Sequence, residues 1–158
     1  MKIYKIAREQ QLYCDIDTAW SFFSSPFNLS KITPKDMRFT VISKGIEPHI
    51  FEGMIIEYFV SPLLRIPMKW KTKITQVEEK KSFTDFQLQG PYRYWKHFHE
   101  FIPNDDGVLI RDTIDYALPF GIFGRFFHRL IVKQKLQDIF SYRFHILDQM
   151  FNSESARG

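Results

Sequence analysis

The sequence has little cysteine and no long apolar run. Cys14 is the only cysteine among 158 residues, so no disulfide can form within the chain and a reducing compartment suits it. No window reaches the roughly 18 consecutive apolar residues of a membrane span. The first ten residues lack the apolar segment of a secretory signal. We therefore expect a cytoplasmic protein without integral membrane contact.

The sequence also lacks the common motifs for catalysis and cofactor binding. It contains no Gly-x-Ser-x-Gly, no P-loop and no Gly-x-Gly-x-x-Gly. Cys14 stands beside Asp15 with no histidine nearby, which is typical of an inert thiol. We expect no cofactor, and the sequence leaves the oligomeric state open.

Charge gives no argument for a nucleic-acid partner. The formal net charge of +4 is mild for a domain of this size. Arg125, Arg129 and Lys133 recur every four residues, which is typical of a solvated helix face. A nucleic-acid surface would require interleaved aromatic residues or a known motif, so none is expected.

Aromatic residues are the abundant class, at 17% of the chain, with 17 Phe, 7 Tyr and 3 Trp. So many rings can fill a core or line an apolar cavity. The length fits one domain, which we place at residues 1–152, followed by a polar tail at residues 153–158.

Hydrophobic periodicity predicts the order of the elements. Residues 2–13 form a first strand, Asp15 caps a short helix that runs through Phe23, and a second short helix lies between Pro26 and Pro34. Six further strands alternate between apolar and polar residues, at 37–44, 53–60, 68–77, 82–89, 94–102 and 108–118.

The period then changes to that of a helix at residues 122–151. Its apolar surface is too broad for a surface helix, so we expect Phe126, Leu130, Phe140, Phe144 and Leu147 to be buried against the strands. Strands followed by such a helix predict an α+β fold, in which an antiparallel sheet of about seven strands wraps around the helix.

Several local segments, taken in order, carry a resemblance to a known superfamily. They are residues 28–34 (NLSKITP), 66–70 (IPMKW), 83–87 (FTDFQ), 90–92 (GPY), 95–101 (WKHFHEF), 115–121 (DYALPFG) and 140–143 (FSYR). The chain resembles the START/birch-pollen-allergen-like superfamily, also called SRPBCC or polyketide-cyclase-like, and in particular a bacterial branch of uncharacterised SRPBCC proteins. The resemblance implies the helix-grip fold and a pocket for a small hydrophobic or amphipathic ligand, but superfamily membership does not fix a function.

The last three predicted strands have one face that can be buried. The opposite face carries Lys96, Glu100, Arg111 and Asp115, whose burial would cost too much. The inward set is apolar at both ends and polar in the middle: Phe83, Asp85, Gln87, Trp95, His97, His99, Phe101, Ile110, Asp112, Ile114 and Tyr116.

Turn positions predict the register of these strands. The loop at residues 104–107 places Pro103 opposite Val108 and therefore His99 opposite Asp112. The preceding loop places Asp85 opposite His97, and Gln87 opposite Trp95. Each histidine then has a carboxylate across the strand, which should raise both histidine pKa values unless burial opposes it.

These positions define the predicted site. The residues expected to bind the ligand are Met54, Ile56, Tyr58, Trp70, Phe83, Asp85, Gln87, Trp95, His97, His99, Asp112, Ile114 and Tyr116. The polar members either orient the ligand's polar end or form a structural hydrogen-bond network. Two histidines are too few for a metal site on their own, and although Asp85 and Asp112 could complete one, we predict no metal.

Three functions fit the sequence. The leading hypothesis is binding of a small hydrophobic or amphipathic molecule, lipid- or polyketide-like, in an internal cavity between the sheet and the C-terminal helix, without covalent chemistry. The second is a cyclase/aromatase-like enzyme in which His97, His99, Asp85 and Asp112 act as acids and bases. The third is a protein-interaction module, which predicts a small or filled cavity.

Overall fold

Seven strands form one antiparallel sheet, and a long helix follows them. The computed structural model describes residues 1–61, 66–119, 121, 126 and 131–153. The strands are β1 (Tyr4–Leu12), β2 (Thr40–Val41), β3 (Ile55–Val60), β4 (Met68–Glu78), β5 (Ser82–Gln89), β6 (Tyr94–Asn104) and β7 (Gly107–Ala117). The helices are α1 (Ile16–Phe23), two 3₁₀ helices (Pro26–Ile32 and Lys35–Met37) and α2 (Lys133–Phe151). The predicted α+β helix-grip architecture is confirmed.

The short helices separate β1 from the strands that follow it in the chain. The sheet order is β1-β7-β6-β5-β4-β3-β2, so the first strand pairs with the last. Asp15 caps α1 by accepting a hydrogen bond from the Thr18 amide at 2.7 Å, and Pro26 begins the first 3₁₀ helix. The local rules that predicted these two helix starts therefore hold.

The strand predicted at residues 37–44 is wrong for most of its length. Only Thr40–Val41 pairs as a strand, and Lys35–Met37 is a 3₁₀ helix. Arg38 turns the chain with a left-handed backbone at φ 47°. The Ser43 hydroxyl accepts a hydrogen bond from the Glu57 amide at 2.7 Å, so a side chain replaces part of the ladder.

The predicted register is confirmed between β6 and β7. Pro103 lies opposite Val108, and His99 lies opposite Asp112. Asp85 lies opposite His97, as predicted, but pairing of β5 with β6 runs only from Ser82–Glu100 to Phe86–Lys96. The predicted pair of Gln87 with Trp95 lies beyond that range and is wrong.

The helix buries a narrower stripe than its apolar pattern predicts. Phe140 and Leu147 are buried, at 6% and 1% exposure, whereas Phe126 and Phe144 are 63% and 51% exposed. The predicted helix start at residue 122, together with Arg125, Arg129 and Leu130, lies outside the described residues. The buried positions 136, 140, 147 and 151 recur at spacings of four and seven. They form one helical stripe, and Phe144 lies past its edge.

Polar contacts fix the position of α2 over the sheet. Gln10 Nε2 donates to the Phe144 carbonyl at 2.9 Å, and Asn152 Nδ2 donates to the Gln11 carbonyl at 2.9 Å. Near the other end of α2, Lys135 pairs with Asp36 at 2.8 Å. None of the helices in the described part of the chain has the length and apolarity of a membrane span.

Gly107, at the turn between β6 and β7, has no room for a side chain. Its φ is +132°, and an added Cβ would lie 2.3 Å from the Leu12 carbonyl oxygen. We expect Gly107→Ala to lower the free energy of unfolding by at least about 2 kcal/mol in urea melts. Gly45→Ala is the control, because φ there is +63° with nothing within 4 Å. Gly45→Ala should lower the free energy of unfolding by only about 1 kcal/mol. An equal loss in the two variants would show that the clash with the Leu12 carbonyl is not the cause.

Candidate functional site

An apolar cavity lies between the inner face of the sheet, the short helices and α2. Its volume is about 160 Å³ among the described residues. Both α1 and the first 3₁₀ helix contribute apolar side chains, as do the sheet and α2. The main apolar residues are Phe22, Phe23, Leu29, Ile32, Ile56, Tyr58, Trp70, Phe83, Trp95, Leu136, Ile139 and Phe140.

Eight of the thirteen predicted ligand-binding residues line this cavity. They are Ile56, Tyr58, Trp70, Phe83, Asp85, Trp95, His97 and His99. The sequence predicted a cavity between the sheet and the C-terminal helix, but it gave no lining residue from α2 or from the short helices, since periodicity shows which face of an element is apolar but not what that face covers.

The other five predicted residues are placed elsewhere. Met54, Ile114 and Tyr116 pack within the core. Gln87 donates from Nε2 to the Tyr92 carbonyl at 2.7 Å and so fastens the β5–β6 turn. Asp112 lies behind the histidines and lines a second cavity of about 220 Å³. Strand alternation predicted that all five face the inside of the sheet, but it does not indicate how close a residue lies to the cavity.

An aromatic wall closes the cavity near the β5–β6 turn. The ring centroids of Tyr92 and Trp95 are 4.6 Å apart, and those of Trp70 and Trp95 are 5.3 Å apart. Burial raises the pKa of the Tyr92 hydroxyl. On the neighbouring strands, the Tyr58 hydroxyl donates to Thr72 Oγ1 at 2.7 Å. Closely packed aromatic rings give the cavity a defined shape.

A cluster of four polar residues lies at one wall of the cavity, and three of the four line it. This His–Asp cluster consists of Asp85, His97, His99 and Asp112. Asp112 Oδ1 lies 3.1 Å from His97 Nε2 and 2.8 Å from His99 Nδ1. Asp85 Oδ2 lies 3.5 Å from His97 Nδ1 and 3.1 Å from His99 Nε2. Each carboxylate therefore contacts both imidazoles, whereas the predicted register assigned one carboxylate to each histidine.

The two histidines differ in their electrostatics. Burial, and then the neighbouring His99, lower the pKa of His97 despite the two carboxylates. Burial also opposes protonation of His99, but Asp112 and then Asp85 outweigh it, so the pKa of His99 is raised. Burial likewise acts against the charged form of Asp112, yet the two histidines hold the pKa of its carboxyl well below the usual value. The predicted rise therefore occurs at His99 only.

Arg143 of α2 faces the cluster and was not predicted as a site residue. Its Nη1 lies 3.9 Å from Asp112 Oδ2, and its guanidinium lies over the Phe140 ring at 5.1 Å. Its side chain is only 11% exposed, and its Nε has no hydrogen-bond partner among the described residues. Burial lowers the pKa of Arg143. Helical spacing carries the signal that would have found it, because Arg143 falls between Phe140 and Leu147 on the buried stripe.

The site thus combines apolar walls with one polar wall. Asp85, His97, His99 and Arg143 all line the cavity. Such a wall can hold the polar end of a bound molecule, and paired imidazoles and carboxylates can also transfer protons.

Comparisons with known proteins agree with this architecture. No family model matches the chain, and no curated protein matches it in sequence. A ginseng (Panax ginseng) major latex-like protein shares 14% identity over 94% of this chain and 97% of its own, with a TM-score of 0.67. Norcoclaurine synthase from Thalictrum flavum, in complex with dopamine and hydroxybenzaldehyde, shares 16% identity over 94% of this chain and 88% of its own, with a TM-score of 0.63. A protein from Thermus thermophilus shares 14% identity over 92% of this chain and 95% of its own, with a TM-score of 0.65. As the sequence resemblance predicts, the chain has the helix-grip fold of the START/birch-pollen-allergen-like superfamily.

Proposed function

We propose that the protein binds a small apolar or amphipathic molecule in the cavity, with the polar end of the ligand against the His–Asp cluster and Arg143. The observation that carries this proposal is the cavity itself, whose aromatic lining is interrupted at one wall by four polar side chains. Apolar surface supplies the affinity in such sites, and a few polar groups fix the orientation. We also propose a cytoplasmic location, which the single cysteine supports.

The cavity volume limits the size of the ligand. About 160 Å³ is close to the roughly 150 Å³ of an apolar cavity that holds benzene. It is below the roughly 300–1,000 Å³ of sites for drug-sized molecules. The ligand we propose therefore has about one aromatic ring. A lipid chain or a polyketide would require the cavity to widen.

Acid–base catalysis is the second candidate, and one observation favours it. His97 and His99 each contact two carboxylates at the wall of the cavity, within reach of a bound molecule. Norcoclaurine synthase, an enzyme by its name, has the same fold. The two functions differ in whether the bound molecule is recovered unchanged. Native mass spectrometry of the protein purified from its own host would identify that molecule.

Toluene and p-cresol are suitable probes of the binding proposal, since each is one ring. A ligand at about 100 times its Kd stabilises the folded state by roughly 2.7 kcal/mol. In a chain of this length that raises Tm by roughly 5–10 °C. We expect such a rise for wild-type protein in thermal melts. Failure of both probes to raise Tm up to their solubility limits would contradict the proposal.

A matched pair of tryptophan variants tests where the probes bind. Ile139 lines the cavity, so Ile139→Trp should fill it and abolish the rise in Tm. Leu88 is 49% exposed on the outer face of the sheet, so Leu88→Trp should leave the rise intact. A full response from Ile139→Trp would place the probes outside the cavity.

A further inference from the structure

The His–Asp cluster presents different atoms to its two sides. Asp112 lies behind the rings, against His97 Nε2 and His99 Nδ1. The remaining nitrogens, His97 Nδ1 and His99 Nε2, both approach the same Asp85 oxygen. Asp85 and the two histidines line the apolar cavity, whereas Asp112 is not among the cavity-lining residues described. Three donor atoms therefore converge on the cavity side.

Hydrogen bonds within the cluster leave part of this convergence unsatisfied. His97 Nε2 hydrogen-bonds to Asp112 and His99 Nε2 hydrogen-bonds to Asp85, each at 3.1 Å. A neutral imidazole carries one N–H, so neutral rings that donate through these atoms present lone pairs of their Nδ1 atoms to carboxylate oxygens, at 3.5 Å for His97 and 2.8 Å for His99. A metal cation between Asp85 Oδ2, His97 Nδ1 and His99 Nε2 would be bound by all three groups, and the second N–H of each ring would then face Asp112.

We propose that Asp85, His97 and His99 bind a divalent transition-metal ion, with zinc as the reference case. Two ligands of a tetrahedral zinc ion lie roughly 3.3 Å apart when each bond is 2.0–2.1 Å. The two distances from Asp85 Oδ2 to the ring nitrogens, 3.1 and 3.5 Å, lie on either side of that value. All three donor atoms lie within 4.8 Å of one another. Two imidazoles and one carboxylate leave a coordination position open, as in catalytic sites.

Asp112 and Arg143 are the supporting residues of this site. A metal-bound histidine usually donates its second N–H to a carboxylate, which fixes the ring. Asp112 Oδ1 is placed to accept from both rings, 3.1 Å from His97 Nε2 and 2.8 Å from His99 Nδ1, while its other oxygen faces Arg143 at 3.9 Å. With neutral histidines, the two carboxylates and Arg143 leave one net negative charge. A divalent ion changes this to one net positive charge, so the magnitude of the buried charge does not grow.

Zinc titration of chelator-treated wild-type protein tests the proposal directly. We expect one Zn²⁺ per chain by calorimetry, without any organic ligand present, and a Co²⁺ absorption spectrum typical of nitrogen and oxygen ligands. Ca²⁺ should not compete, because it prefers sites made only of oxygen. Absence of saturable binding by the folded wild-type chain would overturn the proposal.

Variants then assign the ligands. Asp85→Asn and His99→Ala should each weaken zinc binding by more than about 100-fold, and Asp112→Asn by about 10- to 100-fold. His145→Ala is the control, since His145 is exposed on α2 and contacts Gln149. Thermal melts in chelator establish that each variant is folded. Zinc binding that survives Asp85→Asn and His99→Ala but is lost in His145→Ala would also overturn the site.

The metal site does not depend on the apolar ligand. Toluene and Zn²⁺ are titrated separately into the same preparation of wild-type protein. Protein that binds toluene without zinc overturns the metal site alone, and protein that binds zinc without toluene overturns the binding proposal alone.

Discussion

Phe140→Ala should lower the free energy of unfolding by about 3–5 kcal/mol. Phe140 is 6% exposed and packs in a core cluster with Trp95, Tyr116 and Leu136. Its ring also meets His97 edge-on at 6.2 Å between centroids. Truncation removes these contacts and enlarges a cavity that the surrounding sheet cannot easily close.

Phe144→Ala is the matched control for this prediction. The two phenylalanines lie one turn apart on the same helix, but Phe144 is 51% exposed. Its carbonyl keeps the hydrogen bond from Gln10 after substitution, because that bond involves the backbone. We expect a loss below about 1 kcal/mol in urea melts. Equal losses in the two variants would mean that α2 is not oriented over the sheet as described.

The sequence predicted the strands of the sheet well because each carries its own alternation. In β4, Lys69 and Lys73 are exposed and Thr72 and Ile74 are buried, as period-two patterning requires. The segment around Arg38 failed because a left-handed residue and side-chain hydrogen bonds ended the strand early. Those features depend on local geometry that alternation does not encode.

The polar part of the site was predicted less completely than the fold. Alternation correctly placed Asp85, His97, His99 and Asp112 on one face, and turn length gave the register. The predicted contacts of His97 with Asp85 and of His99 with Asp112 are present but incomplete, because imidazoles reach diagonal neighbours as well as residues directly opposite. Arg143 was missed because a charged residue on a helix is read as exposed, whereas tertiary packing buries this one under the sheet.

Asp112→Ala should destabilise the metal-free protein by about 3–5 kcal/mol. Asp112 accepts contacts from both imidazoles and is the carboxylate nearest to Arg143. Without it, two ring N–H groups and a buried guanidinium lose the charge that offsets them, and the cost of burial remains. Urea melts in the presence of chelator measure this loss without any contribution from a bound ion.

Asp115→Ala is the control for Asp112→Ala, since it removes a carboxylate from the opposite face of the same strand. Asp115 pairs loosely with Lys5 at 3.8 Å and is 32% exposed, so its loss should cost less than about 1 kcal/mol. Asp112→Asn should fall between the two alanine variants, and it keeps the test usable if Asp112→Ala does not fold.

The His99→Ala, Asp112→Ala double-mutant cycle separates a structural cluster from one that serves only a ligand. The 2.8 Å contact between His99 Nδ1 and Asp112 Oδ1 joins the two side chains directly. A buried pair in contact should show a coupling energy of about 0.5–3 kcal/mol. We expect a coupling in this range, because Asp112 lies behind the rings and away from the apolar cavity. If both single variants kept full stability and lost only the response to p-cresol, the cluster would be a ligand site that the fold does not need.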